Sequence, residues 1–190
     1  MITLIVFFIG AILSYVLSVI IQLKNFALWE ISLTYVFALV FILAVNAIAA
    51  VVFAKCLPKK CFNKDSNFYS PSKKECNFYE KIGIKKWKDR TLEFGQLNGF
   101  KKDKIENPKD PEYINKFILE CNKGFMVHLI SIIASVSIFF AVPSGYVLPM
   151  ALPMFITSFI INHMSIMILR YNVPRLKTVL KFVERNKKVN

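Results

Sequence analysis

The chain has 190 residues, 55% of them hydrophobic and 14% aromatic, yet 25 Lys and Arg against 12 Asp and Glu leave it at +13. Soluble basic domains rarely carry so large an apolar share, so the composition argues against a soluble nucleic-acid-binding globule and for an integral membrane protein with its charge confined to loops. Crossing about 30 Å of hydrocarbon takes roughly 20 apolar residues, which sets the length of segment to look for.

Residues 2–23 contain no charge. They could imitate a signal peptide, but no Lys or Arg precedes them, no small-residue cleavage site follows, and a second apolar run comes at once, so they predict a retained helix. Residues 31–54 are again uncharged, and the turn at 24–30 holds one lysine and one glutamate. Residues 1–54 therefore read as two transmembrane helices. Residues 55–123 hold 17 Lys/Arg and 10 Asp/Glu and read as a cytoplasmic loop lying at the interface. Within it, "FYEKIGIKKWKDRTLEFGQLNGF" sets Phe78, Tyr79 and Trp87 among Lys81, Lys85, Lys86, Lys88 and Arg90. Trp and Tyr beside lysines suit the membrane–water boundary, and Gly83, Gly95 and Gly99 would break the stretch into short pieces on the bilayer. Basic and aromatic residues together also suit nucleic acid, but attachment to four spans and the lack of a binding motif argue for no nucleic-acid partner.

Further on comes "NPKDPEYINKFILECNKGFMVHLI". Asp110 supplies a capping carboxylate and Pro111 a pre-set first helical residue, so a helix should start there and run unbroken into the third span. Residues 124–169 read as a transmembrane hairpin. Its first arm, 124–142, carries only His128, its turn Pro143–Gly145 is uncharged, and its second arm, 146–169, carries His163 and two prolines. Residues 170–190 hold 7 Lys/Arg and 1 acid and read as a cytoplasmic amphipathic tail. Pro174 should end the helix and push Val173 out of the helical region, bending the chain at Asn172–Pro174. Beyond the bend, Leu176, Val179, Leu180 and Val183 share one face, opposite Lys177, Lys181, Glu184 and Arg185, as for a helix on the membrane surface. The expected fold is an all-α integral membrane protein with about four transmembrane helices, a basic cytoplasmic loop and a C-terminal amphipathic helix. Positive charge stays inside, so the expectation is a multi-pass cell-membrane protein with both termini cytoplasmic. Cys56, Cys61, Cys76 and Cys121 then fall on the reducing side, and a lone C-x4-C without histidines nearby lacks the pairing of a zinc site.

Polar groups are costly in hydrocarbon, so each one inside a span is a candidate for function. Asn46 lies nine residues before Lys55, His128 five after Lys123, and Asn162 and His163 eight and seven before Arg170. Their depths are roughly 7–14 Å below the cytoplasmic end, on three helices. Two uses fit such residues, interhelical hydrogen bonds that hold the bundle and side chains of a reaction centre. Glu120, Gly124 and His128 are spaced by four, so an acid and a base lie about 12 Å apart on one side of a helix with a notch between them. A surface glutamate with a snorkelling histidine would give the same spacing. "MILRYNVPRLK" raises a parallel question. An anchor needs only positive charge, whereas Arg170 and Arg175 around a kink set by Asn172 would suit a phosphate or carboxylate, because a guanidinium binds two oxygens at once.

"FYEKIGIKKWKD", the L-E-x7-H run at Glu120–His128 and "RYN-x-PRL" at 170–176 resemble the glycosyl-4,4'-diaponeurosporenoate acyltransferase family over roughly residues 75–185. The resemblance implies a membrane acyltransferase acting on a lipid-like acceptor, in the family's case a glycosylated carotenoid, with no metal and no bound cofactor. The chain has neither the H-x4-D box of glycerolipid acyltransferases nor a G-x-S-x-G elbow, which argues against serine chemistry. The expected reaction moves a fatty acyl group from an activated thioester to a hydroxyl of a membrane-embedded acceptor. His128 is the expected base, because imidazole titrates near neutrality. Glu120, the second expected catalytic residue, would hold the acceptor or, if the helices bend, orient the imidazole, and Arg170 and Arg175 would hold the donor's phosphates or the developing oxyanion. Asn172 would set the bend, Trp87 and Lys86 would cover the site, and His163 and Asn46 would line it. Cys121 is the one nearby thiol, and direct transfer is favoured over a covalent intermediate. The alternative is a non-catalytic membrane protein that binds anionic lipid or docks a partner, and it would tolerate loss of His128.

Overall fold

The computed structural model describes residues 1–56, 58–62, 66–91 and 107–189. Gly95 and Gly99 fall outside them. The described residues form helices and turns with no strand. The α-helices are α1 (Ile2–Gln22), α2 (Leu28–Cys56), α3 (Lys73–Lys81), α4 (Ile84–Trp87), α5 (Pro111–Ser135), α6 (Ile138–Ala141) and α7 (Leu152–Val189). Four stretches are long and apolar enough to cross a membrane: Ile2–Gln22, Leu28–Phe53, Pro111–Ala141 and Ser144–Lys187.

The chain divides into two compact units, the first made of Met1–Phe53 and His128–Met164. In it, α1 is patterned inside out. Its buried residues are Thr3, Gly10, Ser14, Ser18 and Gln22, while Leu4, Ile5, Phe8, Ile9, Ile12 and Leu13 are exposed. In water this would be backwards. In lipid it is expected, because apolar side chains gain nothing by leaving the tails, while small residues let helices approach closely. The approach at Gly10 is close enough that a Cβ there would stand 1.9 Å from the Thr157 hydroxyl oxygen. The Gln22 amide also donates to the Gly145 carbonyl. The apolar core of this unit joins Ile31, Ala38 and Ile42 of α2, Ile138 of α6, and Met150, Ala151 and Met154 at the head of the fourth span.

The second unit comprises Ala54–Val127 and Ser165–Asn190. Ser72 caps α3 by accepting from the Glu75 amide at 3.2 Å, and Gly83, with φ 68°, turns the chain from α3 into α4 in the left-handed region. The Asp110 carboxylate accepts from the Glu112 amide at 3.0 Å, and α5 then runs unbroken from Pro111 to Ser135, as the sequence predicts. The expected helix end at Asn172–Pro174 is not there. Pro174 sits inside α7, which continues to Val189. The reason is tertiary packing. Leu169 and Val173 before the proline and Leu176 and Leu180 after it are all buried against Ile114, Phe117, Ile118 and Cys121 of α5. Burying such residues is worth about 1.5–3 kcal/mol each, which outweighs the roughly 3 kcal/mol cost of one internal proline. The same contacts give the apolar face of the tail its partner, which is a helix of the chain and not the bilayer surface.

Candidate functional site

Five polar residues of the first unit, Asn46, His128, Ser135, Ser158 and Asn162, meet in one network across three helices. Asn46 of α2 uses its Nδ2 toward the Ser135 hydroxyl of α5 at 3.1 Å and the Ser158 hydroxyl of α7 at 3.3 Å. The Ser135 and Ser158 hydroxyls share a hydrogen bond of 2.8 Å. Asn162 of α7 donates from Nδ2 to the Asn46 side-chain oxygen at 3.1 Å and to the Ser158 carbonyl at 2.9 Å. The Asn162 oxygen is thereby turned to His128 of α5, whose Nδ1 lies 2.9 Å away. An amide oxygen only accepts, so the neutral imidazole of His128 carries its proton on Nδ1 and its basic lone pair on Nε2. The network thus fixes a tautomer as well as holding helices.

Of the four spanning polar residues expected to share one depth, Asn46, His128 and Asn162 come together. His163 does not, since it is exposed and stacks on Phe159 at 5.4 Å. Its side chain is about 100° around the helix from that of Asn162. Ser135 and Ser158 escape a search for costly polar groups, because each can bond a carbonyl of its own helix, as Ser135 does to Ser131 at 2.7 Å. Their spacing could have revealed them. Ser158 is four residues before Asn162 and Ser135 seven after His128, so each shares its neighbour's helix face.

The second unit gathers the arginines. Arg170 binds Glu75 of α3 through two parallel bonds, Nε to Oε1 at 2.6 Å and Nη2 to Oε2 at 2.9 Å, and donates from Nη1 to the Phe68 carbonyl at 2.8 Å. Its guanidinium also lies 5.1 Å from the Phe125 ring centre. The Tyr79 hydroxyl donates to the same carboxylate. Arg170 and then, against the opposing effect of burial, Tyr79 hold the Glu75 carboxyl below the usual carboxylate range. Burial and the neighbouring carboxylate push the Tyr79 phenol up. Five residues on in both helices, Arg175 reaches Glu80 at 3.1 Å. The fork geometry expected of Arg170 is therefore present, and the carboxylate it grips is the chain's own. The pairing leaves a trace in the spacing, since Glu75 and Glu80 are five apart and Arg170 and Arg175 are also five apart.

The remaining expected site residues are spread over the second unit. Asn172 is half-buried inside α7 and marks no helix end. Trp87 is half-buried at the end of α4 and donates to the Ile82 carbonyl at 3.3 Å, and Lys86 beside it is exposed. Glu120 is half-buried on α5, and Cys121 is sealed in the core of this unit.

No curated protein and no solved structure matches the chain. One family model, described as glycosyl-4,4'-diaponeurosporenoate acyltransferase, matches residues 58–182. That stretch holds His128, Asn162, Glu75, Arg170 and Arg175 and leaves out α1, the whole of α2 and hence Asn46. It covers more than half of the chain and includes the run "RYNVPRL" at 170–176, so the chain belongs to the glycosyl-4,4'-diaponeurosporenoate acyltransferase family.

Proposed function

We propose that the protein moves a fatty acyl group from an activated thioester to a hydroxyl of a lipid-like acceptor in the membrane, the acceptor being a glycosylated carotenoid as the family's description has it. The observation that carries this reading is the hydrogen bond from His128 to Asn162, which leaves the lone pair on Nε2. In the reaction the acceptor hydroxyl oxygen attacks the thioester carbonyl as Nε2 takes its proton. The tetrahedral intermediate collapses, the carbon–sulfur bond breaks, and the departing thiolate takes that proton from the imidazolium. Ester and free thiol result, with no oxidant and no covalent enzyme intermediate.

Glu120 is assigned to the acceptor. Arg175, half-exposed, is assigned to the donor's anionic oxygens, and Arg170, held at both ends of its fork by Glu75, to keeping α3 in place. The basic segments 55–123 and 170–190 support an orientation in the cell membrane with both termini inside. The test uses membranes containing the full chain, with palmitoyl-CoA as donor and glycosyl-4,4'-diaponeurosporenoate as acceptor. Acyl ester should form, and His128→Gln at matched protein level should lose about 10²–10⁴-fold in turnover, the usual contribution of a general base. A loss below about tenfold removes His128 from that role, and no transfer by the wild type overturns the reaction.

A further inference from the structure

Tyr171 stands between the two arginines in sequence and is 2% exposed. Among the described residues its hydroxyl has no hydrogen-bond partner. A buried hydroxyl left unpaired costs about 1–3 kcal/mol, and phenylalanine would fill the same space without that cost. Asn122, another buried residue of this unit with an unpaired atom, at least donates from its amide nitrogen to the Phe62 carbonyl at 3.2 Å. The Tyr171 phenol makes no such bond.

What covers the ring is Arg175. Its guanidinium carbon lies 3.3 Å from the ring centre, and Nη1 donates to the Tyr171 carbonyl at 2.9 Å. On its other side Nη2 meets the Glu80 carboxylate at 3.1 Å, with side chains 46% and 49% exposed. Lys85 shares that carboxylate oxygen at 3.5 Å. Ion pairs this exposed are worth about 0–1 kcal/mol, so Arg175 can exchange one oxyanion for another at little cost. An arginine offers only donors and a phenol adds one more, so the ligand that satisfies both is an acceptor-rich anion.

We propose that Arg175 and the Tyr171 hydroxyl form a phosphate-binding site, in which the Glu80 carboxylate takes the place of the ligand on Arg175 alone. This deepens the acyl-transfer reading, on which its donor branch rests. The phosphate belongs either to the coenzyme A portion of the thioester donor or to an anionic phospholipid head group.

Binding distinguishes the two sources without requiring turnover. The purified full chain in neutral detergent is titrated with palmitoyl-CoA and, separately, with dioctanoyl phosphatidylglycerol. Tyr171→Phe should weaken one of them about tenfold or more, the scale of a hydrogen bond to a charged group, while its unliganded melting temperature stays level or rises. Loss for palmitoyl-CoA assigns the site to the donor, and loss for the phospholipid assigns it to the head group. Glu80→Gln, which removes the competing carboxylate, should tighten the same ligand. If Tyr171→Phe fails to insert, Arg175→Gln at the half-exposed position replaces it and should weaken that ligand as well. Wild-type affinities for both ligands in these variants overturn the proposal, as does a wild type that binds neither. A wild type that binds palmitoyl-CoA but transfers no acyl group overturns the reaction and leaves the phosphate site standing.

Discussion

At Glu75 a single carboxylate takes both nitrogens of an arginine fork and a phenol hydroxyl, on a side chain that is 27% exposed. Its pKa is lowered from the ordinary 4.5, first by the bond from Arg170. A depressed folded-state pKa means that the contribution to stability is fully present above the unfolded value and is lost as pH falls through the folded one. The melting temperature of the purified protein should therefore decline from about pH 5 downward. Glu75→Gln should be less stable at neutral pH and should lose part of that acid sensitivity. An unchanged pH profile in the variant would separate this pair from the stability of the unit. The sequence shows the charges involved but not the partners, because the two sit 95 residues apart and like-looking lysines surround them. His128 and Asn162 were legible for the opposite reason. In an apolar run any amide or imidazole stands out by its cost, whereas a serine does not, and Ser135 and Ser158 went unread.

Elements were legible in their periodicity and less so in their partners. The cap at Asp110, the turn at Gly83 and the four apolar stretches all follow from local chemistry. The face Leu176, Val179, Leu180 and Val183 is also where the spacing puts it, but it covers α5. Local rules stop α7 at Pro174, and packing on both sides carries the helix through. That outcome changes what removing the proline should do. Pro174 has no N–H for the Arg170 carbonyl four residues back, and its ring crowds that carbonyl. Pro174→Ala restores the donor in a helix already formed, so it should raise the melting temperature and leave Arg175 on the same face. Palmitoyl-CoA binding by the variant should equal that of the wild type. A fall in both quantities would mean that the proline's distortion of α7 is itself needed.

For the molecule in its membrane, two independent patterns bear on topology. The first is the inside-out burial of α1, whose serines and Gly10 face inward while its isoleucines and phenylalanines face outward, an arrangement stable only in lipid. The second is charge. Of the 25 basic residues, 17 lie in 55–123 and 7 in 170–190, and only Lys24 lies elsewhere. A chain crossing twice before the first of these segments and twice between them brings both to the same side, and that side should be the cytoplasm, since short loops rich in Lys and Arg are retained there. Native cysteines report on this without a fusion. Cys56 and Cys61 are exposed, and both belong to the first basic segment. A membrane-impermeant maleimide added to intact cells should leave them unmodified, and the same reagent added to inverted vesicles should label both. A cysteine placed at Lys24, in the turn between the first two spans, should behave in the opposite way. Labelling of Cys56 or Cys61 from outside would reverse the orientation. It would also put the basic segments, and with them Arg175 and Tyr171, on the face away from the cytoplasmic thioester pool that the proposed reaction draws on.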